Sequence, residues 1–402
     1  MNVGITVDEN GTFCMNGKPF YAYGVNAYTL IWDQWTKPGD TGYIEGFAML
    51  QKYNIPFVRL PLSCITIEQF RAYEENPETY FSVLDKIFAE AEKNKVGVVG
   101  YIVASFRFVG MLGERPAALG DVNSKSLKFA KKFAADIAKR YANHPAVWGY
   151  EVITEPNHYA DIYYEESPRR KEYMKQVFGS VSEAHNGFDS MTFDEITTCK
   201  REIAKSIREH DPYRMISTGD SIQRPNSYAL RETALSTMQN AGTPDRVWQG
   251  SGVMNTREQL REMVEYSTPD PINVVEAHMG MAGFPSWEVC TYDMREGKVH
   301  YSEVYKQYVD IAKKAKKGLY IAEFGFMGNE GEKVDPALVR DMMPKHLQTM
   351  VATGVQLASL WQFNGYNDLF NDEGNLGYIF SEITKVNDGF VRAGLQDKNG
   401  IW

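Results

Sequence analysis

The chain predicts an α/β fold: a (β/α)8 TIM barrel with an N-terminal hairpin and long loops on its catalytic face. Three observations predict it. Eight short apolar runs recur along the 402 residues, amphipathic helical patterns lie between most of them, and acidic residues end two of the runs. Strands that alternate with helices in this way pair in parallel beneath a cover of helices, and eight such units close into a barrel.

The opening segment, VDENGTFCMNGKPFYAYGVN, reads as a hairpin turning at Asn16-Gly17 and leading into a buried strand over 21–26. The later strands are PFVRLPL (56–62), VGVVGYIVA (96–104), VWGYEVI (147–153), RMISTG (214–219), NVVEAHM (273–279), LYIAEF (319–324) and VQLASLWQF (355–363). Helical periodicity falls at 43–53, 80–94, 124–141, 193–210, 304–317 and 336–353. No Pro-, Gly- or Ser-rich linker divides the chain, so one barrel domain over 1–402 is expected. The long connections, at about 157–192, 220–270, 280–303 and 364–390, follow strands four, five, six and eight. Loops at that end of a barrel shape its substrate site.

Composition narrows the function. Hydrophobic residues make up 43% of the chain, enough for a large core, and the net charge of −9 argues against nucleic acid or an anionic membrane as partner. No apolar run reaches about 18 residues, so no membrane span is predicted. No signal-peptide pattern is visible, which fits a cytoplasmic protein and equally a secreted one whose leader has been removed. Cys14, Cys64, Cys199 and Cys290 have no C-x-x-C spacing, so free thiols are expected rather than a zinc site or disulfide framework. The chain has no G-x-S-x-G elbow, H-E-x-x-H helix, P-loop or G-x-G-x-x-G after a strand, and neither a metal nor a cofactor is expected.

The acids remain. Glu155 ends strand four in ITEPN (153–157), where Pro156 breaks the pattern at once, and Glu323 ends strand seven in LYIAEFG (319–325). A charge at the end of an apolar strand is costly without a role. A parallel barrel gathers its strand ends at one mouth, and two facing carboxylates there are the machinery of glycoside hydrolysis. Arg59, in strand two, is a third such charge; beside Glu323 it would keep that carboxylate ionised, and it can equally form a structural salt bridge. His278 ends strand six, either as a satisfied core histidine or placed to orient Glu155 and touch sugar hydroxyls. Trp361 ends strand eight, where it would either pack in the core or lie under a sugar ring. Trp32, Trp35, Trp248 and Trp287 fall in expected loops as candidates for outer subsites, whereas Trp148, inside a strand, is expected in the core.

With these residues in place, the chain resembles glycoside hydrolase family 5, and within it the endo-β-mannanase-like branch. NGKPFYAYGVNAY (16–28) looks like the family's opening hairpin and first strand, and RLP (59–61) matches its second-strand arginine motif. NHPAVWGYEVITEPN (143–157) looks like the stretch bearing the acid/base, and IREHDPYRMISTGD (207–220) like the approach to strand five. His278, AEFG (322–325) and Trp361 follow in the family's order. The resemblance implies a retaining β-glycosidase with Glu155 as acid/base, Glu323 as nucleophile, and Arg59 and His278 as their supports. The implied partner is an oligo- or polysaccharide, a β-mannan, glucomannan or related β-1,4-glucan. Two positions depart from the family: Thr154 stands where an Asn normally reaches the sugar 2-hydroxyl, and Gly280 where a Tyr usually follows the strand-six His. A weakened or non-catalytic carbohydrate-binding barrel, or a glycosidase for a sugar modified at C2, are the readings these departures leave open.

Overall fold

Each of the eight apolar runs forms a parallel strand in the computed structural model. It describes residues 4–37, 39–63, 66–104, 106–158, 160–161, 191–232, 254–282, 288–289, 299–327, 336–363 and 373–397. The strands are β1 (Ala22–Asn26), β2 (Phe57–Pro61), β3 (Gly97–Val103), β4 (Val147–Ile153), β5 (Met215–Ser217), β6 (Val274–Ala282), β7 (Gly318–Met327) and β8 (Leu357–Leu360). Each pairs with its neighbours in chain order, and β8 pairs with β1, so the sheet closes into the expected (β/α)8 barrel. The span of β4 coincides with its expectation. β6 and β7 run further than their apolar runs because they pair with each other from Val274–Gly318 to Ala282–Met327.

Helices form where the periodicity places them: Gly42–Lys52, Pro77–Lys93, Lys125–Tyr141, Phe193–Arg208, Tyr301–Lys314 and Pro336–Thr353. Among the described residues five more α-helices were not expected, Thr29–Thr36, Ile67–Glu75, Arg107–Met111, Arg257–Tyr266 and Glu373–Arg392, so the connections at 220–270 and 364–390 are partly helical. Two of them carry a local start signal, a capping box in which Thr66 pairs with Gln69 and Thr256 with Gln259. Trp32 and Trp35 lie on helix Thr29–Thr36 and not in a loop. Much of the expected loops at 157–192 and 280–303 lies outside the described residues, as do Trp248, Trp287, Cys64 and Cys290. Cys14 and Cys199 are free and buried, as expected. Among the described residues no helix is long and apolar enough to cross a membrane.

The N-terminal hairpin forms, with Phe13–Met15 antiparallel to Lys18–Pro19, and Ile5–Val7 adds a third strand. Its turn residues, Asn16 and Gly17, both take positive φ (52° and 75°), which a two-residue hairpin turn requires. This small sheet caps the end of the barrel where the strands begin. Ile5, Phe13, Met15 and Phe20 pack with Ala22, Phe57, Val99, Trp148, Met215, Val274, Tyr320 and Leu357 in one buried apolar cluster. Phe20 meets Trp148 edge-on at 5.5 Å, and Trp148 is a core residue as expected. The opposite faces of the strands, including Val25, Val58, Val98 and Ile321, pack under the helices in a second, larger cluster. The barrel interior thus has an apolar floor.

Candidate active site

Side chains alternate across a regular strand, so the residue two places beyond a floor residue faces inward there. On four strands that residue is polar: Phe57 gives way to Arg59, Met215 to Ser217, Val274 to Glu276 and then His278, and Leu357 to Ser359. On β7 the pairing register shifts between Ile321 and Glu323, which turns Glu323 toward the same interior. On β4 it is Glu151 that points in, with Thr154 and Glu155 just past the strand end.

Arg59 is the centre of this layer. Its Nε donates to Glu151 Oε2 (2.6 Å) and its Nη2 to Glu151 Oε1 (2.7 Å), a bidentate pair. Nη1 donates to Glu323 Oε1 and to Asn26 Oδ1, both at 2.8 Å, and Nη2 also reaches Thr154 Oγ1 at 3.3 Å. All five N–H groups of the guanidinium therefore have a partner. Its plane also lies over Tyr101, 4.5 Å from the ring centroid. The Thr154 hydroxyl donates to Glu151 Oε1 at 2.9 Å. Burial opposes the charge on Arg59, yet Glu151 and Glu323 hold its pKa well above the ordinary value. Burial wins at Glu151, whose pKa is pushed up to about 7 against the pull of Arg59.

Glu155 leaves the strand with φ +50°, a left-handed conformation that non-glycine residues rarely adopt and that clusters at functional sites. Two hydrogen bonds hold it there: its N–H donates to Gly219 O (2.7 Å), and its carbonyl accepts from His158 N (3.1 Å). Gly219 has φ +74°, and a Cβ on it would lie 1.5 Å from Ile153 O, so only glycine permits this approach. The Glu155 carboxylate meets His278 Nδ1 at 2.9 Å, and the half-exposed His158 lies 3.4 Å away through Nε2. His278 Nδ1 also stands 3.3 Å from Glu323 Oε1, while its Nε2 meets Glu276 Oε1 at 3.0 Å. An oxygen of Glu155, one of Glu323 and a ring nitrogen of His278 lie within 4.8 Å of one another.

Exposure separates the four carboxylates. The side chains of Glu155 and Glu323 are 34% and 14% exposed, whereas those of Glu151 and Glu276 are fully buried. Only the first two can meet a ligand. Partial desolvation opposes the charge on Glu155, yet hydrogen bonds from His158 and His278 draw its pKa far below the carboxylate range. Glu323 moves the other way: burial, with Glu155 and Glu151 nearby, raises its pKa against the pull of His278 and Arg59. Arg59 was expected to set the ionisation of Glu323, and it does donate to that carboxylate, but burial outweighs it. Grouped acids and a histidine can also hold a metal ion; here the guanidinium of Arg59 already donates to both oxygens of Glu151 and to one of Glu323, which makes these an ion-paired cluster.

Of the residues picked out in the sequence, Arg59, Thr154, Glu155, His278 and Glu323 come together in one network. Trp361 sits half-buried at the end of β8, stacked on Tyr28 (6.1 Å, 22° between planes), with a cis peptide to Gln362. Trp32 is half-buried one helical turn past β1. Glu151, Glu276, Asn26, His158 and Gly219 were not singled out. The one signal for two of them was an acid inside an apolar run, in VWGYEVI and NVVEAHM.

No protein-family sequence model matches the chain, and no curated protein matches it. Solved structures do. The endo-1,4-β-mannanase of Rhizomucor miehei superposes with a TM-score of 0.62 at 15% identity, over 96% of this chain and 99% of that one. A glycoside hydrolase family 5 mannosidase from the same organism gives 0.59 at 11% identity, over 96% and 98%. The endo-1,4-β-mannanase of Eisenia fetida gives 0.55 at 12% identity, over 95% of each chain. At such identities the likeness establishes architecture alone: this chain has the (β/α)8 barrel fold that these two endo-β-mannanases and the mannosidase share.

Proposed function

We propose that the protein is a retaining β-glycosidase acting on a β-mannan, a glucomannan or a related β-1,4-glucan. The observation that carries this reading is the pair of partly exposed carboxylates, Glu155 and Glu323, with oxygens within 4.8 Å of one another at the mouth of the barrel. Retaining enzymes hold their two carboxyls about 5–5.5 Å apart, whereas inverting ones leave about 6.5–9.5 Å for a water. Glu323 is the nucleophile, deep in the site and hydrogen-bonded by Arg59; Glu155, nearer solvent, is the acid/base. Trp361 offers an aromatic face to the sugar beside them, and Trp32, Trp248 and Trp287 are the candidates for further subsites.

A second reading has its own support. The Thr154 hydroxyl is committed to Glu151 and Arg59, which leaves the sugar C2 position without a hydrogen bond from that side chain. This favours a substrate modified at C2. Reducing-sugar release from mannan, glucomannan, soluble cellulose and xylan, with Glu323→Gln alongside, tests the first reading. Activity on one polymer that the variant loses upholds it; release that survives the substitution refutes it. Aryl β-glycosides with and without a C2 substituent separate the two readings, since the second requires the substituted one to turn over faster.

A further inference from the structure

His278 has a carboxylate at each ring nitrogen. Glu155 Oε1 and Glu323 Oε1 lie 2.9 and 3.3 Å from Nδ1, and Glu276 Oε1 lies 3.0 Å from Nε2. The donor Arg59 Nη2 stands farther from Nε2, at 3.5 Å, so the nearest partner on each side is an acceptor, which favours a ring with N–H on both sides, an imidazolium. Glu276 has a second contact. Its Oε2 accepts from Gly219 N at 2.9 Å, and Gly219 O in turn accepts from Glu155 N at 2.7 Å. The bonds close a circuit from Glu276 through His278 to the Glu155 side chain, and back through the Glu155 backbone and Gly219. Glu276 is fully buried and never meets the mouth.

We infer that Glu276 is a positioning residue that keeps His278 doubly protonated, so that the imidazolium, rather than Glu155, stores the proton received by the leaving sugar oxygen. The inference rests on the glycosidase reading. In the first step the Nδ1–H bond breaks as a Glu155 O–H bond forms. Glu155 passes that proton to the glycosidic oxygen, which keeps the electron pair of its broken bond to the anomeric carbon while Glu323 bonds that carbon. His278 is left neutral, with Nε2–H still on Glu276. In the second step water attacks the anomeric carbon, Glu323 leaves with its electron pair, and the water proton returns through Glu155 to Nδ1. This arrangement accounts for a Glu155 held ionised in the resting site.

Five charged groups face or surround the ring: Glu155 past β4, Glu151 on β4, Glu323 on β7, Arg59 on β2 and Glu276 on β6 itself, with His158 on the far side of Glu155. Burial and Arg59 oppose the cation, and the carboxylates outweigh them, so its pKa stands well above the ordinary histidine value.

Glu276→Gln tests the inference, with Glu276→Asp as the second variant should Gln not fold. Nitrogen-15 spectra of the ring, assigned against His278→Asn and recorded without substrate, should show His278 doubly protonated at about pH 8 in the wild type. In either variant the second proton should leave about one pH unit lower or more. The alkaline limb of kcat/KM should move down by the same amount, with KM on the acidic side unchanged. A neutral ring in the wild type, or a uniform loss of activity with an unmoved limb, overturns the inference. Absence of hydrolysis in the wild type refutes the glycosidase reading and the proton store with it, while the spectra still decide whether Glu276 makes the cation.

Discussion

At the end of the barrel where the strands begin, the interior is filled by Phe57, Met215, Val274 and Leu357; two residues further along the same strands it is filled by Arg59, Ser217, Glu276 and Ser359. The floor packs by shape alone. Its groups need only be apolar and of about the right volume, and no one of them depends on a single partner. The polar layer works by pairing. Arg59 has five donors matched to four residues, and removing any acceptor strands a buried donor at a cost of about 1–3 kcal/mol, more where charge is involved. The comparison teaches that one short strand can carry a tolerant half and an exacting half, and that the chemistry sits in the exacting one.

Substitutions can break this contrast. The largest effect is expected at Glu323: Glu323→Gln should fold with an unchanged melting curve and lose more than about 10⁴-fold in kcat on the responsive polymer, as removal of a covalent nucleophile does. Glu155→Gln should cost about 10²–10⁴-fold with a poor leaving group. An aryl glycoside whose phenol departs without a proton should recover most of the first step, visible as a burst of phenol. Arg59→Met leaves Glu151 buried without its bidentate partner, and urea unfolding should show about 3–5 kcal/mol lost, the cost of stranding one half of a buried ion pair. Thr154→Val removes one donor from Glu151 and should cost about 1–3 kcal/mol in the same assay. Smallest is Phe57→Leu on the floor, two residues before Arg59: under about 1.5 kcal/mol, with kcat untouched. If Phe57→Leu proved as damaging as Arg59→Met, the division into tolerant floor and exacting mouth would be wrong.

Legibility in the sequence follows the same division. Glu155, Glu323, Arg59 and His278 were visible because each interrupts or ends an apolar run, and the network contains all four. Glu151 and Glu276 lie inside such runs. In a strand buried on both faces the inward and outward residues are both apolar in the main, so the period of two that would mark an inward acid is hidden. Asn26 closes β1 and looks like any strand-end amide until Arg59 Nη1 and the carbonyls of Ala322 and Leu360 are seen around it. The helix bearing Trp32 escaped because it spans only eight residues, too short for its periodicity to stand out.

The sequence by itself determined the eight strand and helix units, the hairpin at Asn16-Gly17 and which end of the barrel carries the acids. Those follow from local periodicity and from the cost of placing a charge in an apolar strand. Closure of the barrel decided the rest: that Arg59 joins Glu151 to Glu323, that His278 bridges Glu155, Glu323 and Glu276, and that Thr154 turns its hydroxyl inward. The contacts of Arg59, and those of His278 with Glu155 and Glu323, link strands far apart in the chain, and no local pattern encodes a distance that exists only once the sheet has met its own first edge.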